Sequence, residues 1–282
     1  MTTNDTKRVW FITGASRGIG AEITKAALAA GDTVVATARD PRKIGERFGA
    51  SDALLPVALD VTNEASVAAA VKAAIARYGR IDVLVNNAGY GIIGAVEETP
   101  GDDVRRIYET NVFGLLAVTR AVLPHLRRQR AGLILNLSSV GGYRSGPGFG
   151  IYCSTKFAVE GISEALHGEL APLGIGVTII EPGYFRTEFL ESNSVVETAA
   201  TISDYAETSG MVRSRAKSVS LQQPGDPVRL ARTIVELAGS KAPPLRLPLG
   251  SDTVAAIEEK NAFVARELAA WRAVAVSTDF PK

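Results

Sequence analysis

Short runs rich in Val, Ile and Leu alternate with longer amphipathic stretches along most of the chain. No other feature of the sequence constrains the fold as much. Arg8–Thr13, Thr33–Thr37, Leu54–Leu59, Ile81–Val85, Leu133–Leu137 and Gly176–Ile180 read as strands, and Leu245–Leu249 as a short seventh. Ile19–Ala30, Asn63–Tyr78, Asp102–Leu126, Tyr152–Leu173 and Pro227–Ala238 read as helices. Strands without polar alternation, separated by helices, imply a parallel sheet covered on both faces. Right-handed crossovers then give a doubly wound, Rossmann-type α/β fold of about seven strands. Pro248 suits a strand at the sheet edge, because it has no N–H for an inner ladder.

Residues 188–223 break the pattern. They are rich in Ser, Thr and Ala, and a weakly patterned insert of this length suggests a substrate lid. Asp252–Val274 reads as a C-terminal helix with Asp252 as its N-cap. No linker divides the 282 residues, so the reading is one domain over 1–282.

Thirty-one Lys and Arg against 30 Asp and Glu leave a net charge of +1, which offers no attraction for nucleic acid or an anionic membrane. Cys153 is the sole cysteine, so an internal disulfide is impossible, and with only His125 and His167 beside it no metal site is expected. The Arg127–Arg130 cluster suits the end of a helix. The start of the chain is polar and lacks a secretory pattern, and there is no apolar run of membrane-spanning length. The expected location is the cytoplasm.

Between the first strand and first helix lies Thr13-Gly14-Ala15-Ser16-Arg17-Gly18-Ile19-Gly20. Glycines in a strand–turn–helix context let a pyrophosphate approach the backbone and the positive end of the helix. The spacing G-x3-G-x-G differs from the commoner dinucleotide fingerprint. TGASRGIG resembles the turn of the short-chain dehydrogenases/reductases. Further matches follow in order: Asn86-Asn87-Ala88-Gly89, Asn111, Asn136-Leu137-Ser138-Ser139, Tyr152-Cys153-Ser154-Thr155-Lys156, and Pro182-Gly183 with Thr187. The general pattern looks like the hydroxysteroid/retinol dehydrogenase-type members.

The resemblance implies an oxidoreductase interconverting a carbonyl and an alcohol with a nicotinamide cofactor. Tyr152 would be the general acid/base, and Lys156, one helical turn on, would lower its pKa and hold the nicotinamide ribose. Ser139, in preference to Ser138, would bond the substrate oxygen. Asn111 would hold a water leading from Lys156 to solvent. Gly14, Ser16, Arg17, Gly18, Ile19, Gly20, Asp60, Val61, Asn87, Ala88, Gly89, Pro182, Gly183 and Thr187 would line the cofactor. A carboxylate at the end of the second strand selects NAD, whereas here Ala38 is followed by Arg39. With Arg17 nearby, this suits the 2′-phosphate of NADP(H). Tyr90, Ile92, Tyr143, Phe149, Tyr184, Phe185 and Phe189, with Ile93, are candidates for an apolar substrate pocket, and so for a lipophilic ketone, aldehyde or alcohol. Cys153 reads as a packing residue rather than a nucleophile.

Two other functions are compatible with the fold. One is an epimerase or dehydratase, whose turn and larger substrate domain are missing here. The other is a non-catalytic NADP(H) sensor, which would not need both Tyr152 and Lys156. The apolar face of Tyr152–Leu173 (Phe157, Ile162, Leu166, Leu170) fits either sheet packing or the homodimer or homotetramer common among relatives.

Overall fold

The computed structural model of the chain describes residues 7–190, 194–219 and 221–280. Its strands are β1 (Val9–Ile12), β2 (Thr33–Ala38), β3 (Leu54–Ala58), β4 (Val83–Asn86), β5 (Gly91–Ile93), β6 (Gly132–Leu137), β7 (Ile175–Pro182), β8 (Val195–Glu197) and β9 (Arg246–Leu249). Its helices are α1 (Gly18–Ala29), α2 (Arg42–Phe48), α3 (Glu64–Tyr78), α4 (Gly101–Tyr108), α5 (Gly114–Gln129), α6 (Val140–Tyr143), α7 (Gly150–Leu170), α8 (Met211–Val219), α9 (Pro227–Ala238) and α10 (Ser251–Val276). No described helix is long and apolar enough to cross a membrane.

Seven strands form one parallel sheet in the order β3-β2-β1-β4-β6-β7-β9, as the alternation of runs predicts. β9 is an edge strand, and Pro248 lies on it opposite Glu181. Alternate residues of each strand feed two separate cores. Trp10, Ile12, Val34 and Val85 pack beneath α1 and α9 through Ile23, Ala27, Leu230 and Ile234. Val9, Phe11, Leu84 and Ile134 pack on the other face beneath α3, α5 and α7 through Val71, Val118, Leu126 and Leu170. Of the apolar face expected on α7, Leu170 is buried here and Leu166 packs against the same core, while Phe157 is exposed. Helix starts follow local chemistry. The Asn63 side chain accepts Ser66 N at 2.9 Å ahead of α3, and Asp226 accepts Val228 N at 2.8 Å ahead of α9.

Strand order reverses between β1 and β4, so the carboxyl ends of these strands flank a crevice where an open α/β sheet takes its ligand. Beneath it, a buried polar ladder ties β4, β6 and α7 together. Asn86 donates to Asn136 and to Thr119 at 2.9 Å each, and Asn136 donates to Ser163 at 2.8 Å. A second buried polar group lies between α7, β7 and β9. The Arg246 guanidinium meets Glu160 at 3.0 Å, Glu164 at 2.7 Å and Glu181 at 3.1 Å. Burial, reinforced by the Glu160 charge, pushes the Glu181 carboxyl up to about 7.

Several local features depart from the expectations above. The helical stretch over 102–126 is two helices, α4 and α5, joined by a π-helical turn at Glu109–Phe113. Hydrophobic periodicity runs through such a turn without a break. α2 was not foreseen, because it is short and only Ile44 in it is fully buried. The N-cap of α10 is Gly250, not Asp252. Asp252 is in the first turn of α10, and its carboxylate accepts the backbone N–H of Tyr184 at 2.8 Å. Residues 188–223 hold β8, a π-helical turn at Ala206–Gly210 and α8, and β8 pairs with β5 outside the main sheet.

Two stability predictions follow from the buried polar groups. Asn136→Ala removes one bond each from the Asn86 amide and the Ser163 hydroxyl, costing about 1–3 kcal/mol and lowering the thermal midpoint by roughly 3–8 °C. An unchanged midpoint would refute the ladder's role. The folded Glu181 keeps its proton to about pH 7, while the unfolded carboxyl loses it near 4.5. Stability therefore falls as pH rises across that window. Glu181→Gln removes the cost, so the variant melts like wild type near pH 4.5 and a few °C higher at pH 8, equivalent to about 1–2 kcal/mol. Equal melting at pH 8 would show that Glu181 is not held protonated.

Candidate active site

The first wall of the crevice is the glycine turn after β1. Gly14 and Gly18 have φ of +66° and +56°, and a side-chain carbon at Gly18 would enter open space. A methyl at Gly20 would collide with the Gly14 carbonyl and stand 2.5 Å from Asn87 Nδ2. That space is needed, because Asn87 Nδ2 donates to the carbonyls of Thr13 and Gly14 at 2.8 and 3.0 Å. In return the Thr13 hydroxyl accepts the N–H groups of Asn87 and Ala88 at 2.9 Å each. The turn of β1 is thus clasped to the end of β4. The family resemblance placed Asn87 along the cofactor. Its side chain proves to be a structural staple for the turn, with Thr13 as the partner that the reading did not single out.

The first turn of α1 carries no acidic residue and no side-chain cap, so its N–H groups face the crevice ready for an anion. Ser16 and Arg17 precede it, and Ile19 turns back onto the core. Ala38 ends β2, and Arg39 beyond it is exposed. The Asp40 carboxylate is committed to Arg42, which donates through Nε and Nη2 at 2.9 Å each and lowers the Asp40 pKa. Asp60 sits at the end of the β3 segment, where it accepts Thr62 N at 3.0 Å, and Val61 is buried against Gly114. These residues fit a dinucleotide: open backbone over a helix N-terminus, and the nearby Asp40 carboxylate turned to Arg42.

The second wall is α7 and the segments facing it. Tyr152 is 9% and Lys156 7% exposed, one turn apart on α7. Lys156 Nζ donates to the Leu137 carbonyl at 2.7 Å and lies 5.9 Å from the centre of the Tyr152 ring. Burial brings the Lys156 pKa down to about 8, against the opposing pull of Glu160. Ser139 caps α6, with its hydroxyl accepting Gly141 N at 3.0 Å, and it also bonds the Tyr152 hydroxyl. Ser138 is buried and faces Glu160 instead, which leaves Ser139 as the serine on the Tyr152 side. Burial raises the Tyr152 pKa above the usual phenol value, and the Ser139 bond works against that rise. The lowering expected from Lys156 alone does not appear. The ammonium lies over the ring and bonds the Leu137 carbonyl, and burial dominates. The phenol is held protonated.

Asn111, in the π-helical turn, clamps Tyr90. It accepts Tyr90 N at 3.0 Å and donates to Tyr90 O at 2.9 Å and to Thr155 Oγ1 at 3.1 Å. Both amide protons are engaged, so the side chain positions the segment after Gly89 rather than offering a donor to water. The loop after β7 lies at the mouth, where Pro182 is the last residue of the strand and the Gly183 backbone runs against Asp252. The Thr187 hydroxyl accepts Phe189 N at 3.3 Å.

The candidate substrate residues separate into two groups. Ile92, Tyr90, Phe149 and Phe189 cluster with Tyr152 and Cys153. The Phe149 and Phe189 rings stand 6.3 and 5.9 Å from the Tyr152 ring, one tilted and one edge-on. Tyr184 is half-exposed, with Arg215 of the insert and the Cys153 thiol acting on its hydroxyl. Ile93 packs with Val195 and Ala216 of the insert. Tyr143 and Phe185 lie elsewhere. Tyr143 donates to Asn261 Oδ1 at 2.5 Å beneath the Arg246 guanidinium, and Phe185 packs into the α1/α9 core beside Gly225. Aromatic spacing near Tyr152 could not reveal these directions. Cys153 is buried with its thiol pKa raised by burial, which suits a packing residue.

The insert is tied to the segment after β5 by buried Glu98. Its carboxylate accepts Ala95 N at 2.7 Å and Ile202 N at 2.8 Å and pairs with Arg213. These bonds hold the Glu98 carboxyl below its usual pKa. Sequence reading missed Glu98, and no local motif marks it.

The comparisons with known proteins agree with this geometry. The family model for short chain dehydrogenase matches residues 8–197. The chain is 42% identical over 255 residues to oxidoreductase BOA17 of Botryotinia fuckeliana, covering 88% of this chain and 90% of that one. It is 38% identical to 3-ketodihydrosphingosine reductase of Bacteroides thetaiotaomicron, covering 86% and 88%. A crystal structure of a short-chain dehydrogenase from Streptomyces avermitilis superposes with a TM-score of 0.91 at 41% identity, over 98% of this chain and 100% of that one. Related structures hold either nucleotide. A 3-ketoacyl-(acyl-carrier-protein) reductase from Brucella melitensis is complexed with NADH, at 31% identity, TM-score 0.71 and coverage of 86% and 96%. ElxO is bound to NADP, at 26% identity, TM-score 0.74 and coverage of 89% and 100%. A family match running from β1 through β8, together with a relative aligned along nearly its whole length, leads to one conclusion: this chain belongs to the short-chain dehydrogenase/reductase family of oxidoreductases.

Proposed function

We propose that the protein is an NADP(H)-dependent oxidoreductase that interconverts a lipophilic ketone or aldehyde with its alcohol. The observation that carries this reading is the environment of Tyr152. Its hydroxyl is buried beside Ser139, while its ring is walled by Phe149, Phe189, Ile92 and Tyr90. A polar pair at the end of an apolar cleft binds one oxygen and leaves the rest of the substrate against hydrocarbon. A relative named for a long-chain keto substrate, 3-ketodihydrosphingosine reductase, supports the same class.

The residues have distinct tasks. Backbone of the glycine turn and the α1 N-terminus hold the pyrophosphate, with Asp60, Val61, Ala88 and Gly89 beneath the adenosine half. Lys156, Pro182, Gly183 and Thr187 hold the nicotinamide half. When bound, the dihydronicotinamide supplies a hydride to the carbonyl carbon. Ser139 bonds the carbonyl oxygen and stabilises the charge that develops there. Tyr152, held protonated by its surroundings, delivers the proton to that oxygen and takes it back in the oxidative direction. Lys156, charged below about pH 8, favours the phenolate left behind. Arg39 and Arg17 meet the 2′-phosphate, and Asp40 does not oppose them because Arg42 holds it. Residues 188–223 act as the substrate lid, anchored through Glu98.

Three measurements test the reading. NADPH consumption over a panel of ketones and aldehydes, graded from small and polar to steroid-like, favours the lipophilic members. Tyr152→Phe loses about 10²-fold or more in kcat on them, and turnover of only small polar carbonyls would refute the pocket assignment. The reduction rate is level below pH 8 and falls above it as Lys156 loses its proton, so an unchanged rate at pH 9.5 would remove Lys156 from the chemistry. Arg39→Ala weakens NADPH by roughly 10–100-fold and leaves NADH unchanged, the worth of one charge-assisted pair. Equal loss for both nucleotides would show that Arg39 does not read the phosphate.

A further inference from the structure

α10 is longer than the body that supports it. Its first turns are seated: Thr253 is buried, Glu259 pairs with Arg144, and Asn261 accepts the Tyr143 hydroxyl. Every described residue from 261 to 280 is exposed, although the helix continues to Val276. This outer part is rich in alanine and is a good helix former in isolation. It is not a polar helix. Phe263, Val264, Leu268, Trp271 and Val274 all lie open, with Leu268 57% and Trp271 67% exposed. An apolar patch of this extent is uncommon on a monomer's surface.

The spacing of one stripe along α10, exposed and apolar at Val264, Leu268 and Trp271, indicates what covers it. Val254, Ile257, Asn261, Val264, Leu268, Trp271 and Ala275 follow one another at alternating intervals of three and four residues. That is the seam of one helix packing against another. Charges flank the seam. Glu258, Arg266, Glu267 and Arg272 form no ion pair among the described residues. If two such helices cross antiparallel about the Val264–Leu268 layer, Glu258 of each copy lies two residues from level with Arg272 of the other, on the same side of the seam and within reach of its long side chain. The projecting part carries only Arg266, Glu267 and Arg272, one net positive charge, so the arm lacks the Lys- and Arg-rich face that draws an amphipathic helix to a membrane.

We propose that the projecting part of α10 is a dimerisation arm that packs antiparallel against the same helix of a second copy of this chain, with Val264, Leu268 and Trp271 at its centre and reciprocal Glu258–Arg272 pairs at its ends. The interface is isologous, so one surface serves both subunits. The arm rises beside the loop after β7, because Asp252 at its base holds Tyr184, and the pairing therefore sets the distance between two active-site mouths.

Sedimentation velocity of the full chain across a wide concentration range tests this. Wild type associates, and Leu268→Glu or Trp271→Glu lowers the assembly by a factor of two, weakening it about thirtyfold or more. Unchanged far-ultraviolet circular dichroism and nucleotide binding show that the variants are folded. Glu258→Arg and Arg272→Glu each weaken association, and the double exchange restores it. Trp10 is fully buried and Trp271 is the only other tryptophan, so wild-type emission shifts to the red on dilution as Trp271 meets water. The proposal is overturned if wild type stays monomeric at high concentration, or if assembly survives Leu268→Glu and Trp271→Glu unchanged. It is also overturned if a monomeric wild type cosediments with phosphatidylserine vesicles, which would make the arm a membrane contact.

Discussion

The clasp between Asn87 and the glycine turn is the interaction on which the site depends. One amide reaches from the end of β4 to two carbonyls after β1, and it fits only because Gly20 has no side chain. Thr13 returns the bond to the backbone of Asn87 and Ala88. The two strands that flank the crevice are therefore locked end to end as well as side by side. The open N–H groups of α1 then lie at a set distance from the segment that Asn111 clamps. The Asn87 and Asn111 amides both bond backbone here, which ties the loops of the crevice to one another.

A second layer of polar contacts supports the α7 side of the crevice. Lys156 is almost wholly buried, yet it has a backbone acceptor at 2.7 Å and a carboxylate one turn further along α7. That carboxylate, Glu160, shares Arg246 with Glu181 and Glu164. A buried ion group of this kind contributes little to stability, since desolvation offsets its attraction. Its consequence is electrostatic. It places negative charge beneath an ammonium whose pKa burial lowers, and so opposes that lowering. Ser138 joins this lower layer, which is why adjacent serines at the end of β6 have different tasks.

The fold and the order of its parts were largely legible in the chain, because strand runs and the glycine turn depend on neighbours close in sequence. The Tyr152/Lys156 spacing was legible for the same reason: four residues in a helix is one turn. The apolar residues around the cleft were only half legible. Tyr90, Ile92, Phe149 and Phe189 converge on Tyr152, whereas Tyr143 and Phe185 turn to α10 and to the α1/α9 core. Nothing in a list of aromatics shows which way a loop residue faces. Glu98 and the Glu160–Glu181–Arg246 group were illegible, since their members are far apart along the chain and meet only across elements.

By itself the sequence determined the layer architecture, the glycine turn between β1 and α1, and the one-turn spacing of Tyr152 and Lys156. Each of these rests on periodicity or spacing within one element. Tertiary structure alone decided that Ser138 turns to Glu160, that Asp252 holds a loop instead of capping its helix, and that Asn111 clamps Tyr90. It also decided that the end of α10 stands clear of the body. The physical reason is the same in each case: side-chain direction and burial are set by packing between distant segments, and a one-dimensional pattern does not encode which distant groups compete for the same partner.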